Sequence, residues 1–156
     1  MPKIDVSSVP LRKGSTYPAP FHLIAAERTR QALGDAAGLT DFGVNLLTLP
    51  PGTWSSQRHW HSGEDEFVYV LEGELVLITD EGEKVVRAGD YLAFPKNVPD
   101  GHHLVNKSDR PAVCLEVGTR SYDDVCTYSD IDMRADDVNG YTHKDGTRYP
   151  TRASGT

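Results

Sequence analysis

The sequence predicts an all-β protein built as an antiparallel sandwich or barrel. Three observations carry that prediction: short β-rich runs recur through the middle of the chain, turn residues separate them at intervals of roughly 8 to 12 positions, and no long stretch holds a helical period.

The runs follow in order. Phe42 to Leu49 is the first, closed by Pro50-Pro51-Gly52. Glu66 to Leu71 alternates apolar and polar and ends at Glu72-Gly73. Glu74 to Thr79 follows at once, up to the Asp80-Glu81-Gly82 turn. Val85 and Val86 begin a short strand before Gly89-Asp90, and Tyr91 to Phe94 is another before Pro95. His102 to Val105 and Ala112 to Val117 complete the set.

The flanks read differently. Residues 1–40 form an N-terminal arm whose one apolar stretch, Phe21 to Ala26, could start a helix running to Leu33 or form a short strand. Gly34 and Gly38 make Leu33 to Leu39 loop-like. Residues 119–156 form a C-terminal arm rich in Asp, Thr, Tyr and Gly, with Thr151 to Thr156 expected to be disordered. No second hydrophobic core, repeat or linker is visible, so the expectation is one barrel, residues 41–118, with two arms.

At 156 residues the chain has the size of a single domain. It has 23 acidic against 16 basic residues, a net charge of −7, and no dense basic cluster, which makes nucleic acid and anionic membrane poor partners. No run is long and apolar enough to span a bilayer. The two cysteines, Cys114 and Cys126, give no disulfide framework, and no apolar signal-type stretch opens the chain. The expectation from these absences is a cytoplasmic protein.

The informative stretch is His59-Trp60-His61-Ser62-Gly63-Glu64-Asp65-Glu66. On a strand, His59 and His61 face one side and Trp60 the other. A turn at Ser62-Gly63 can return Glu66 beside the imidazoles. Two imidazoles and a carboxylate on one face suit a divalent metal such as Fe, Mn, Ni or Zn. A chance pair of surface histidines is the plain alternative for H-x-H alone.

The flanking residues resemble the two sequence motifs of the cupin superfamily. In the first, Gly52 precedes His59-x-His61 by six residues, Glu66 follows four residues later, and Gly73 after six more. In the second, Gly89 and Pro95 enclose five residues, the turn Lys96-Asn97-Val98-Pro99-Asp100-Gly101 follows, and His102 and Asn106 enclose three. The turn before His102 is longer than the family pattern, and Asn97 stands where a glycine often does, a mild exchange because Asn tolerates left-handed backbone. The resemblance implies an antiparallel double-stranded β-helix (a jelly roll) holding one divalent metal ion through His59, His61, Glu66 and His102. His103 is the alternative to His102; the spacing to Asn106, and alternation with Leu104, favour His102. The resemblance also implies a homodimer, with residues 20–26 as a candidate exchanged or docked strand.

Three histidines and a glutamate leave metal positions for a small-molecule ligand or substrate. This points to an oxygenase, isomerase or lyase acting on a small organic molecule, an acid or a phenol, with a non-catalytic small-molecule-binding or sensor protein as the alternative. Tyr91, Glu116, Tyr69 and Lys96 are candidates for a proton-transfer group. Glu116 shares a strand face with Cys114 and could look inward, the plainer reading being an outward, solvated side chain. Asp65 is a candidate to orient a histidine ligand, Glu64 is expected to be solvated, and His22 and His143 to be surface or capping residues.

Overall fold

Strand alternation decides which side of each run is buried. Along Glu66–Glu72, Val68 and Val70 are buried while Phe67, Tyr69 and Leu71 are exposed, the pattern of a sheet with one face on a core. The structure is a computed structural model and describes residues 3–150. The expected disorder of Thr151 to Thr156 lies outside the described residues.

The strands are β1 (Leu11–Lys13), β2 (Thr29–Ala32), β3 (Phe42–Leu49), β4 (His59–His61), β5 (Glu66–Glu72), β6 (Glu74–Thr79), β7 (Gly82–Arg87), β8 (Tyr91–Phe94), β9 (His103–Val105), β10 (Ala112–Thr119), β11 (Cys126–Tyr128), β12 (Arg134–Asp136) and β13 (Gly140–Thr142). Among the described residues helix is confined to one α turn at Leu33–Ala36 and two 3-10 turns, Val6–Ser8 and Leu23–Ala25. No helix among them is long and apolar enough to cross a membrane.

Pairing is antiparallel throughout the described strands. One sheet has the order β1-β2-β3-β10-β5-β8, a second β7-β6-β9, and a third β13-β12-β11-β4. Bridges between His59 and His102 and between Trp54 and Val105 tie the second sheet to the segment carrying β4. The core lies between the first two sheets: Leu47, Leu49, Val68, Val70, Ala112 and Cys114 from one, Leu75, Val86 and Leu104 from the other. This is the all-β jelly roll that the sequence predicts.

The N-terminal arm departs from its reading. Residues 20–26 form no strand; Leu23–Ala25 is a 3-10 turn whose middle residue, Ile24, accepts a hydrogen bond from the Trp54 N–H at 3.0 Å. The arm's longer strand is β2, laid on β3. Leu33–Ala36, expected as loop, makes one helical turn with Gly34 pressed on β3, where a Cβ would stand 2.8 Å from the Val44 nitrogen. A second apolar cluster also exists, against expectation. Tyr17, Cys126, Tyr128 and Met133 are buried there, with Phe21, Tyr141 and Tyr149 packed against them. Its aromatic residues are dispersed over both arms and mostly carry hydroxyls, so no apolar run announces them.

The motif residues have clear structural work. Gly73 has φ +82°, and a Cβ there would sit 2.8 Å from the Pro111 carbonyl oxygen. Asn97 has φ 60°, the sole positive value at a non-glycine among the described residues. Asn106 is fully buried and donates its amide to the Leu49 and Arg110 carbonyls, both at 2.7 Å, while its oxygen accepts from the Ser108 N–H at 3.0 Å. It clips the end of β3 to the loop before β10. Replacing it with alanine strands two carbonyls, so Asn106→Ala is expected to lower stability by about 2–3 kcal/mol, measured by urea unfolding; a loss below about 0.5 kcal/mol would remove this role.

Candidate metal centre

His59 and His61 occupy alternate positions of β4, so both imidazoles leave one face of the strand. β11 lies alongside, placing Tyr128 opposite His59 and Cys126 opposite His61. On the other edge His59 bridges to His102, and Glu66 begins β5. Gly101 lets the chain enter His102 close to its neighbour, because a Cβ there would stand 2.9 Å from the Ser129 Cβ.

Three imidazoles thereby converge on one carboxylate oxygen. Glu66 Oε2 lies 2.9 Å from His102 Nε2, 3.7 Å from His61 Nε2 and 3.8 Å from His59 Nε2. His59, Glu66 and His102 bring their donor atoms within 4.8 Å of one another, as do His59, His61 and Cys126, and either group could hold a metal ion.

Outer contacts fix the rings. His59 Nδ1–H donates to the Gln57 carbonyl at 2.8 Å, which turns the Nε2 lone pair toward Glu66. His61 Nδ1 meets Asp124 Oδ2 at 2.6 Å, and the other Asp124 oxygen accepts from the Gly63 N–H at 2.7 Å. The His102 ring lies flat on Phe94, centroids 3.5 Å apart. Asn97 belongs to the same scaffold, its N–H donating to the His61 carbonyl at 2.7 Å.

Burial and charge set the protonation states. Burial pushes His59 down to about 4, against the pull of the Glu66 carboxylate. Burial also works against charge on His61, but contacts with the Cys126 sulfur, Glu66 and Asp124 win and hold it up at about 10. Burial opposes the charge of Glu66 too; the His102 hydrogen bond and the three neighbouring imidazoles overcome it and bring Glu66 down to about 2.

His103 stands apart from this cluster: it is buried, hydrogen-bonded through Nδ1 to the Ser56 carbonyl at 3.1 Å and set edge-on to Trp54. Glu116 points inward, onto the cavity of about 400 Å3 that the histidines share. Tyr91 is 71% exposed on the outer face beside Phe67, and Tyr69 and Lys96 are exposed as well. Asp65 orients no histidine; its carboxylate accepts from the Lys96 N–H at 2.9 Å. Glu64 is half-buried and accepts from the Ser121 N–H at 2.8 Å.

Asp124, from the C-terminal arm, has the orienting position the sequence suggested for Asp65. Arg28 and Arg30 from the N-terminal arm, with Cys126 and Tyr128 from β11, complete the cavity wall. The i, i+2 spacing of Cys126 and Tyr128 was the available signal, but three residues are too few to read.

The cupin domain family model matches residues 45–118. A solved structure of a sugar phosphate isomerase from a cupin superfamily, from Silicibacter pomeroyi, is 46% identical over 99% of this chain and 100% of its own, with a TM-score of 0.89. A putative sugar phosphate isomerase from Acidithiobacillus ferrooxidans is 32% identical over 75% of each chain, TM-score 0.70. A predicted oxalate decarboxylase from Thermotoga maritima, 21% identical over 76% of this chain and 99% of its own with TM-score 0.60, shares the fold. No curated protein matches the chain.

The His61 arrangement has a measurable consequence in metal-free protein. Its folded pKa of about 10 lies above the ordinary value, so its contribution to stability is complete below pH ~6.5 and lost as pH rises through the folded value. Metal-free protein is expected to melt at a lower temperature near pH ~9 than near pH ~6.5. Asp124→Asn should lower the His61 NMR titration and soften that decline, with the Cys126 and Glu66 contacts still holding it above the ordinary value; an unmoved titration would remove Asp124 from this role.

Proposed function

The chain belongs to the cupin family, and from that premise we propose that it is a metal-dependent isomerase acting on a small phosphorylated sugar. His59, His61, Glu66 and His102 are the ligands of one divalent transition metal ion. The observation that carries the reading is the convergence of three imidazole Nε2 atoms on Glu66 Oε2, between 2.9 and 3.8 Å, at the wall of a substrate-sized cavity. The isomerase class and the sugar phosphate are supported by the 46% identity to a protein of that description over 99% of this chain.

The donor set fits such an ion. With His59 neutral and Glu66 ionised at neutral pH, two ligands are already in their binding form, and His61 must give up a proton. A metal held there supplies Lewis-acid polarisation of a carbonyl or hydroxyl oxygen.

The chain's own residues do the rest. Besides Glu66 the cavity wall carries Glu64, which sits beside His61 and accepts from the Ser121 N–H, and Glu116, which lies away from the histidines against Arg30. Glu116 takes the proton from the hydroxyl-bearing carbon beside the carbonyl and returns it to the former carbonyl carbon, while the hydroxyl proton crosses to the carbonyl oxygen. Tyr17 and Tyr128 are buried, and burial holds both phenols well above their ordinary range; they stay protonated as hydrogen-bond donors along the wall.

Protein purified without added metal is expected to carry about one equivalent of a divalent transition metal, lost in His61→Ala. Elemental analysis checks this, and a metal-free parent that also fails to take up Fe, Mn, Ni or Zn would remove the metal assignment. With phosphorylated aldoses and ketoses in deuterated water, the parent should exchange the carbon-bound proton next to the carbonyl. Glu116→Gln should lower that exchange about 100-fold or more with metal retained. Exchange at the parental rate would take the proton-carrying role from Glu116, and no exchange on any phosphorylated sugar would overturn the isomerase.

A further inference from the structure

We propose that Arg30, backed by Arg28, forms the subsite for the phosphate group of the substrate, and that the phosphate displaces Glu116 from Arg30. The identity of the anion rests on the sugar-phosphate reading; the subsite rests on the cavity wall itself.

Arg30 lies in register with Leu47, which is fully buried, so its side chain leaves the inner face of the sheet. Glu116 lies in register with Asn45, two residues away along β3. Across that diagonal Arg30 Nη2 meets Glu116 Oε2 at 3.1 Å. The Arg30 Nε is buried and has no hydrogen-bond partner, an uncommon state for a guanidinium donor that is explained by an acceptor arriving with the ligand.

Arg28, two residues earlier, projects to the same side and is buried. It donates Nε to the Gly14 carbonyl at 3.1 Å and Nη1 to the Ser55 carbonyl. Those acceptors fix the group without cancelling its charge. Burial and the neighbouring Arg30 cation both push Arg28 down. Two guanidiniums therefore share one carboxylate, Glu116, in this corner of a chain whose net charge is −7. A local excess of positive charge, one guanidinium buried and the other opening to the cavity, attracts an anion in an acidic protein, and a guanidinium fork matches a phosphate.

The pairing also couples recognition to chemistry. While Arg30 holds Glu116, one carboxylate oxygen is occupied by the guanidinium at 3.1 Å. A phosphate has more charge and three acceptor oxygens, so it competes successfully for Arg30 and frees Glu116 to take a proton. A sugar without phosphate leaves Glu116 held. Arg30 is thus a specificity-determining residue, sensing the phosphate and releasing the carboxylate.

Inorganic phosphate is the probe, titrated calorimetrically at fixed ionic strength into the parent, Arg30→Ala, Arg30→Gln, Glu116→Gln and His61→Ala. Both Arg30 variants are expected to lose about tenfold or more in affinity, with circular dichroism confirming the fold. Glu116→Gln should bind phosphate more tightly, since the competing carboxylate is gone, and His61→Ala should bind as the parent does. Parental affinity in the two Arg30 variants, weaker binding in Glu116→Gln, or loss of binding in His61→Ala, which would put the anion on the metal, each overturns the subsite. If phosphate binding depends on Arg30 but no phosphorylated sugar undergoes exchange, the isomerase fails and the subsite stands. If exchange occurs and Arg30→Ala leaves both phosphate affinity and KM unchanged, the reverse holds.

Discussion

The site depends on a half-buried carboxylate that three imidazoles must meet from separate parts of the chain. Ionised Glu66, partly withdrawn from water, would be costly without partners; surrounded by His59, His61 and His102 it is held at about 2 instead. That arrangement demands correct register in every element that contributes. A one-residue slip of β4 would turn Trp60 inward and both histidines outward. The His59–His102 bridge and the pairing of β4 with β11 prevent it, each clamping one edge of a three-residue strand. The Gln57 carbonyl, Asp124 and the Phe94 ring then fix ring rotation about positions that the backbone has already set.

Much of this was legible from spacing. Period-two alternation puts His59 and His61 on one face, and the turn at Ser62-Gly63 returns Glu66 to them. The contrast between His102 and His103 follows the same rule, since neighbouring residues on a strand leave opposite faces. In the structure one ring reaches Glu66 at 2.9 Å while the other rests on the Ser56 carbonyl. Asn97 was readable as a left-handed position because Asn is one of the few side chains that tolerates it, and its φ is 60°. The jelly roll itself was legible because its strands are long enough, in β3, β5 and β10, to display alternation.

The arms were not legible, and the reason is length. β2, β11 and β13 have three or four residues each, too few for any period to stand out. Tyrosines that build the second cluster look polar in composition although their rings pack as core. Asp124 escaped notice because it lies 63 positions from His61 and no local pattern links them. The orientation of Glu116 was left open for a different reason. Alternation from Cys114 carries Glu116 inward, since the β10 bulge lies before Cys114. A charged side chain more often faces solvent, however, and only the folded cavity wall with Arg30 shows why this one does not.

Both failures concern residues around the same cavity. The barrel segment, where alternation and motif spacing can be read, supplies the histidines and glutamate that define a metal-type site. The N-terminal arm supplies Arg28 and Arg30, and the C-terminal arm supplies Cys126, Tyr128 and Asp124. A cluster of His and Glu is compatible with many reactions, because it selects oxygen ligands in general. In the proposed reading, charge elsewhere on the cavity wall discriminates among those ligands, and that charge comes from Arg30 on β2 and from Arg28 before it. Sequence motifs confined to the barrel therefore report the kind of chemistry available, while the rest of the cavity wall is built by short segments that only the folded chain brings to it.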